Sequence, residues 1–127
     1  MSPEDWPRLF TERLNAGDLD GVVALYAPNA RFVTQSGETL SGLERIREVL
    51  AELIDARAKL ESRVVHSVVV DDVALLYTDF RGTTPPSAGA AVELRQRALE
   101  VLRRQPDGRW KLIVGDPGGR DRAGAAR

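Results

Sequence analysis

The chain carries one histidine, His66, in the stretch LESRVVHSVVV, and a tyrosine, Tyr77, in the following stretch VALLYTDFRG. Asp71-Asp72 makes a tight turn between them. A hairpin closed there sets Val70 opposite Val73, Val68 opposite Leu75, His66 opposite Tyr77 and Val64 opposite Asp79. Strict alternation puts all eight on one side of the hairpin. An imidazole, a phenol and a carboxylate gathered on one side could perform acid–base chemistry on a small carbonyl compound. His66 or Asp79 would take a proton while Tyr77 holds the developing negative oxygen. The same residues also have ordinary uses. A lone histidine in a valine-rich strand can be a core or interface residue, Tyr77 can pack with its hydroxyl on a partner, and Asp79 can cap a turn. Glu100 is a further acid, set among Arg95, Arg97, Arg103 and Arg104, where an ion pair competes with any role in a pocket.

The elements that must position these groups are legible in turn. Trp6, Leu9, Phe10 and Leu14 recur at helical spacing behind Ser2, Pro3 and Asp5, which predicts a first helix over 2–16. Gly17 suits the helix end and Asp18 the next helix start. That second helix puts Leu19, Val22, Val23 and Tyr26 on one face and stops at Pro28. Residues 30–35 read as a short strand. Ser41 and Glu44 form a capping box for a third helix carrying Leu43, Ile46, Val49, Leu50 and Leu53. From Lys59 the period becomes two. The hairpin around Asp71-Asp72 follows, then a loop over 83–90, then strands over 92–104 and 109–116 joined by QPDG. The Gly- and Arg-rich residues 118–127 read as a disordered tail. Helices first and a long antiparallel meander after them are α+β, with three N-terminal helices on a strongly curved sheet and a cavity between.

Composition narrows the function classes. Cysteine is absent, and a single histidine rules out a multi-histidine metal site within one chain. The formal charge of −1 gives no drive toward nucleic acid or anionic membrane. Residues 18–27 hold Asp18 and Asp20 and no cation, so the first two helices are not a DNA reader. The arginines from Arg95 to Arg104 alternate along a strand and make no continuous basic patch. No leader or membrane-length apolar run is visible, so a cytoplasmic protein without cofactor or metal is expected.

LNAGDLDGVVALYAPNARF followed by SGLERIRE closely resembles the start of bacterial ketosteroid isomerases and of the wider nuclear transport factor 2-like, or SnoaL-like, superfamily. EVLRRQPDGRWKLIVGDP resembles that group's closing hairpin, and the match spans roughly residues 6 to 117. The resemblance implies a cystatin-like cone over residues 1–117, commonly a homodimer through the outer sheet face. It also implies a pocket for a small apolar molecule, in a fold that hosts isomerases, cyclases, dehydratases and non-catalytic modules. Matching DVALLYTDF to the isomerases' strand puts Tyr77, Asp79 and Arg81 on the cavity side, with His66 beside them and Glu100 on the neighbouring strand. Phe10, Tyr26, Phe32, Thr34, Leu75 and Arg81 become ligand contacts. Phe10 stands where the isomerases keep a donor tyrosine, and Thr34 where they keep a basic aspartate. Only their protonated aspartate has a counterpart, in Glu100. The resemblance therefore argues against steroid isomerisation by the usual set. It leaves open another acid–base reaction, carried by Asp79, Glu100, His66 and Tyr77, or a non-catalytic binding or dimerisation module.

Overall fold

A computed structural model describes residues 2–34, 36–84 and 92–121. A 3-10 turn, Pro3–Asp5, leads into α1, Trp6–Asn15, and α2 spans Leu19–Val23. Strands β1, Tyr26–Val33, and β2, Thr39–Ser41, precede α3, Leu43–Asp55. Four strands follow: β3, Lys59–Val70; β4, Val73–Thr84; β5, Val92–Arg104; and β6, Trp110–Asp116. The sheet order is β2-β1-β6-β5-β4-β3, antiparallel except where β1 meets β6. The helices lie against one face of this curved sheet. Their buried residues Trp6, Phe10, Leu14, Val22, Ile46 and Leu50 form the core with Leu76, Phe80, Ala98, Leu102 and Leu112 from the strands.

Local chemistry sets the helix ends. Gly17 takes φ +73° at the end of α1, and Asp18 accepts from the Gly21 amide at 3.0 Å to start α2. Asn15 ties α1 to the sheet edge, donating to the Leu60 carbonyl and accepting from the Leu60 amide, both at 2.8 Å. Two expectations change here. The second helix does not run to Pro28: α2 ends at Val23, and Tyr26 opens β1. The Leu25 carbonyl accepts from Trp6 Nε1 at 2.8 Å and from the Leu112 amide at 2.9 Å, which draws the chain into the sheet there. Pro28 falls in the irregular stretch between Tyr26 and Arg31, where a missing amide proton interrupts no regular ladder. The Ser41–Glu44 capping box does not form either. Ser41 pairs with Arg31 in the sheet, and Gly42, at φ +87°, is the N-cap of α3.

The β3–β4 turn falls at Asp71-Asp72, with Val70 facing Val73, Val68 facing Leu75 and His66 facing Tyr77. A bulge at Val65 then shifts the register, so Val64 faces Thr78, and Arg63 faces Asp79 in place of Val64. Gly108, at φ +84°, closes the β5–β6 turn as its sequence implies. Of the expected loop over 83–90, Thr83 and Thr84 belong to β4, and 85–90 lie outside the described residues. Residues 118–121 of the expected tail pack on the sheet, and 122–127 lie outside the described residues. Arg120 binds Asp79 and the Ala98 carbonyl, and Asp121 accepts from Arg97 Nε at 2.6 Å. No helix among the described residues is long and apolar enough to cross a membrane.

Candidate functional site

Alternation gives β4 two faces of different character. Ala74, Leu76, Thr78 and Phe80 are buried beneath the helices, whereas Val73, Leu75, Tyr77, Asp79 and Arg81 belong to the outer face. On β5, the inner set contains Leu94, Gln96, Ala98, Glu100 and Leu102, and the outer set Arg95, Arg97, Leu99, Val101 and Arg103. Charge decides the orientation, because turning the other face inward would bury Asp79, Arg81 and three arginines of β5. The expected quartet is therefore split. His66, Tyr77, Asp79, Leu75 and Arg81 do not reach the cavity, and Glu100 does.

On the outer face, exposed His66 lies edge-on to Tyr77 with ring centroids 5.2 Å apart. Arg120 pairs with Asp79, and its guanidinium lies 5.8 Å from the centre of the Tyr77 ring. Leu75 is half-buried between Val68 and Val101. Arg81 lies in a shallow polar depression with Glu61, Thr83 and Glu93. These are the partnered or packing roles the residues could equally have had.

Between the sheet and the helices lies a cavity of about 430 Å³. Its wall is aromatic and aliphatic: Trp6 and Phe10 from α1, Tyr26 and Phe32 from β1, Leu50 and Leu53 from α3, and Phe80 from β4. Four predicted ligand contacts, Phe10, Tyr26, Phe32 and Thr34, are in this wall. The Trp6 and Phe10 rings stack at 5.3 Å, Tyr26 meets Trp6 edge-on at 5.6 Å, and Phe10 meets Phe80 edge-on at 5.8 Å. The Thr34 hydroxyl is engaged in its own turn, accepting from the Glu38 amide at 3.1 Å and lying 2.9 Å from Ser36 Oγ.

Glu100 is the ionisable group set deepest in this wall, together with Tyr26. It is 4% exposed, and neither its Oε1 nor the neighbouring Thr78 Oγ1 completes a hydrogen bond. Burial pushes the Glu100 carboxyl up to about 7, and the nearby Thr78 hydroxyl offsets this only in part. Burial first, and the Glu100 charge second, also push the Tyr26 phenol far up, so it stays a neutral donor. The cavity thus presents one carboxyl that populates both protonation states near neutrality, and one phenol that populates a single state.

Trp6, Gln96, Glu52 and Asp116 also border the cavity and were not singled out as ligand contacts. For Gln96 a signal existed, since it lies four residues before Glu100 on the same face of β5. Glu52 is exposed at the rim of α3. Asp116 pairs with Leu99, an outer-face residue, and its carboxyl packs beside Gly119. Among the described residues no cluster of three or more potential metal ligands occurs.

Comparison with known proteins agrees with this architecture. The sequence profile of the SnoaL-like domain matches residues 8–113. Among solved structures, a ketosteroid isomerase-like protein from Erwinia carotovora atroseptica superposes with a TM-score of 0.77 at 17% identity, covering 89% of each chain. An NTF-2 like protein of unknown function from Shewanella oneidensis gives 0.75 at 13% identity, covering 89% of this chain and 93% of the other. A domain of unknown function with a cystatin-like fold from Nostoc punctiforme gives 0.72 at 20%, covering 91% and 77%. At these identities the likeness concerns the fold. None of the curated proteins matches the chain.

Proposed function

The chain belongs to the SnoaL-like domain family, and from that premise we propose that its cavity binds a small apolar carbonyl compound whose oxygen is held by Glu100. The observation that carries the proposal is a buried carboxyl with an unpartnered oxygen in the wall of a mainly apolar cavity. A buried polar group without a partner is costly, and a ligand able to complete its bonding removes that cost. Protonated Glu100 donates to the carbonyl oxygen, and the Tyr26 phenol is a second donor on the same wall. Two donors polarise the bound carbonyl; when a neighbouring C–H bond breaks, its proton goes to an ionised Glu100 and the negative oxygen is held by Tyr26 alone. Such polarisation is the step that cofactor-independent isomerisation, cyclisation and dehydration have in common. His66, Tyr77 and Asp79 have no part in it.

A non-catalytic binding module is the second reading. It is favoured by Phe10 and by Thr34, whose hydroxyl is engaged in a turn, at the two positions where a donor and a base would stand. Infrared spectroscopy of bound 2-adamantanone tests both. The carbonyl stretch should move to lower frequency at pH 6 relative to a hydrocarbon solvent, and less so in Tyr26→Phe. A ketone that does not bind, or that keeps its hydrocarbon-solvent frequency, refutes the site. For a catalytic site, bound cyclohexanone exchanges its α-hydrogens for deuterium faster than free ketone; for a binding module it does not.

We further propose that the outer face, through Val68, Val73, Leu75 and Val101, packs against a second copy of the chain. In its support, Val68 is 44% exposed and Val73 37%, an apolar strip beside the charged half of that face.

A further inference from the structure

The lining of the cavity is one-sided in charge. Its described residues include three carboxyl groups, buried Glu100, exposed Glu52 and half-buried Asp116, and no Lys, Arg or His. An anionic ligand would find no partner there and would meet like charge. A cation meets two features at once. Glu100 lines the cavity, and its Oε1 has no hydrogen bond. The rings of Trp6, Phe10 and Tyr26, packed at 5.3 and 5.6 Å, line the same cavity, and aromatic rings attract positive charge.

We propose that the same cavity takes a protonated hydrophobic amine, its ammonium group held by the Glu100 carboxylate against the aromatic wall. The proposal rests on the pocket reading above and extends it from neutral carbonyl compounds to cations. The groups around Glu100 are consistent with it on every side. Strand β1 offers Tyr26, β4 offers Phe80 and no charged group, α1 offers only Trp6 and Phe10, α3 offers Glu52 at the rim, and β6 offers Asp116. Among the described lining residues no cation competes for the carboxylate. A compact hydrocarbon body of a few rings fits a cavity of about 430 Å³.

The two ligand classes need opposite protonation states of one residue, which makes them separable. With the Glu100 carboxyl at about 7, roughly 10% is ionised at pH 6 and roughly 90% at pH 8. An amine that binds the ionised form is then about tenfold tighter at pH 8 than at pH 6, and a ketone that binds the protonated form about tenfold weaker.

Isothermal titration of the full chain with three rigid cage compounds of similar size tests this. The probes are 1-adamantanamine, 2-adamantanone and 1-adamantanecarboxylate, each at pH 6 and pH 8. The expected result is amine binding that strengthens about tenfold with pH, ketone binding that weakens about as much, and no carboxylate binding at pH 8. Glu100→Gln, checked for cooperative unfolding, should lose at least tenfold in amine affinity at pH 8 and retain the ketone; the wild-type pH dependence stands as a test even if the variant does not fold. Amine binding that ignores pH, or that is no tighter than carboxylate binding, overturns the proposal. If the ketone binds and the amine does not, the proposal fails and the carbonyl reading survives. If neither binds, both fail.

Discussion

Replacing Glu100 with glutamine should stabilise the protein, and by an amount that grows with pH. The folded state holds this carboxyl at about 7 against an ordinary value of 4.5, because burial disfavours the charge. Below pH 4.5 both folded and unfolded chains carry the proton, and the residue adds no pH dependence. Between 4.5 and 7 the unfolded chain releases its proton while the folded chain keeps it, so stability falls as pH rises. Above 7 the loss levels off at about 3 kcal/mol, from 1.36 kcal/mol for each unit of the difference. Glutamine keeps the shape and cannot ionise. Urea unfolding of both proteins at equal concentration, at pH 4.5, 5.5, 6.5 and 7.5, isolates this contribution, since every other titrating group is common to both. The difference should start near zero or slightly against the variant and rise by about 3 kcal/mol in its favour, or about 10 °C in Tm. Parallel curves across this range, or a variant that loses ground as pH rises, would refute the account of a carboxyl raised by burial.

Three other substitutions probe the frame around the site. Leu75→Glu puts a charge at the centre of the outer apolar strip; light scattering should show the mass fall from two chains to one, with adamantanone binding retained. In Gly82→Ala the new Cβ would lie 2.0 Å from the Lys59 carbonyl oxygen across the β3–β4 pair. The strands must part there, which should lower stability by about 1–3 kcal/mol at an unchanged urea m-value. Arg120→Ala removes the ion pair with Asp79; with side-chain exposures of 21% and 36%, the loss should stay within about 1 kcal/mol and shrink in 0.5 M salt, as read by thermal melts.

The β3–β4 hairpin shows what the sequence makes legible. The turn at Asp71-Asp72 and the pairings from Val70–Val73 to His66–Tyr77 follow from alternation and turn chemistry, and the structure has them. The bulge at Val65 does not follow, because nothing in VVHSVVV distinguishes one valine as unpaired. Which face points inward was open to a further argument from charge. One β4 set contains Asp79 and Arg81, and the other, Ala74, Leu76, Thr78 and Phe80, contains no charge. The resemblance to the isomerases implies the charged set inward, and the structure buries the other. On β5 the same test succeeds: Glu100 shares its face with Leu94, Gln96, Ala98 and Leu102, and the arginines alternate away from it. Elements separated by short turns were therefore readable, and so was the identity of the acid inside. Its isolation was not, because it depends on which side of the sheet the helices cover.

That isolation limits any chemistry the cavity could do. Phe10 offers a ring packed on Trp6 and Phe80, Thr34 offers a hydroxyl engaged in a turn, and Tyr26 is held protonated. Among the described wall residues within the cavity, only Glu100 can accept a proton near neutrality. An ionised Glu100 can remove a proton from carbon but cannot at that moment donate to the carbonyl oxygen, a role that then falls to Tyr26. The same carboxyl must afterwards return the proton, on the side of the ligand that faces β5. A reaction run this way depends on one ionisation, so its kcat/KM should rise with pH through a single step near 7 and then stay level. A bell with two limbs would require a second titrating group in contact with the ligand. It would show that the wall described here is incomplete as a catalytic site.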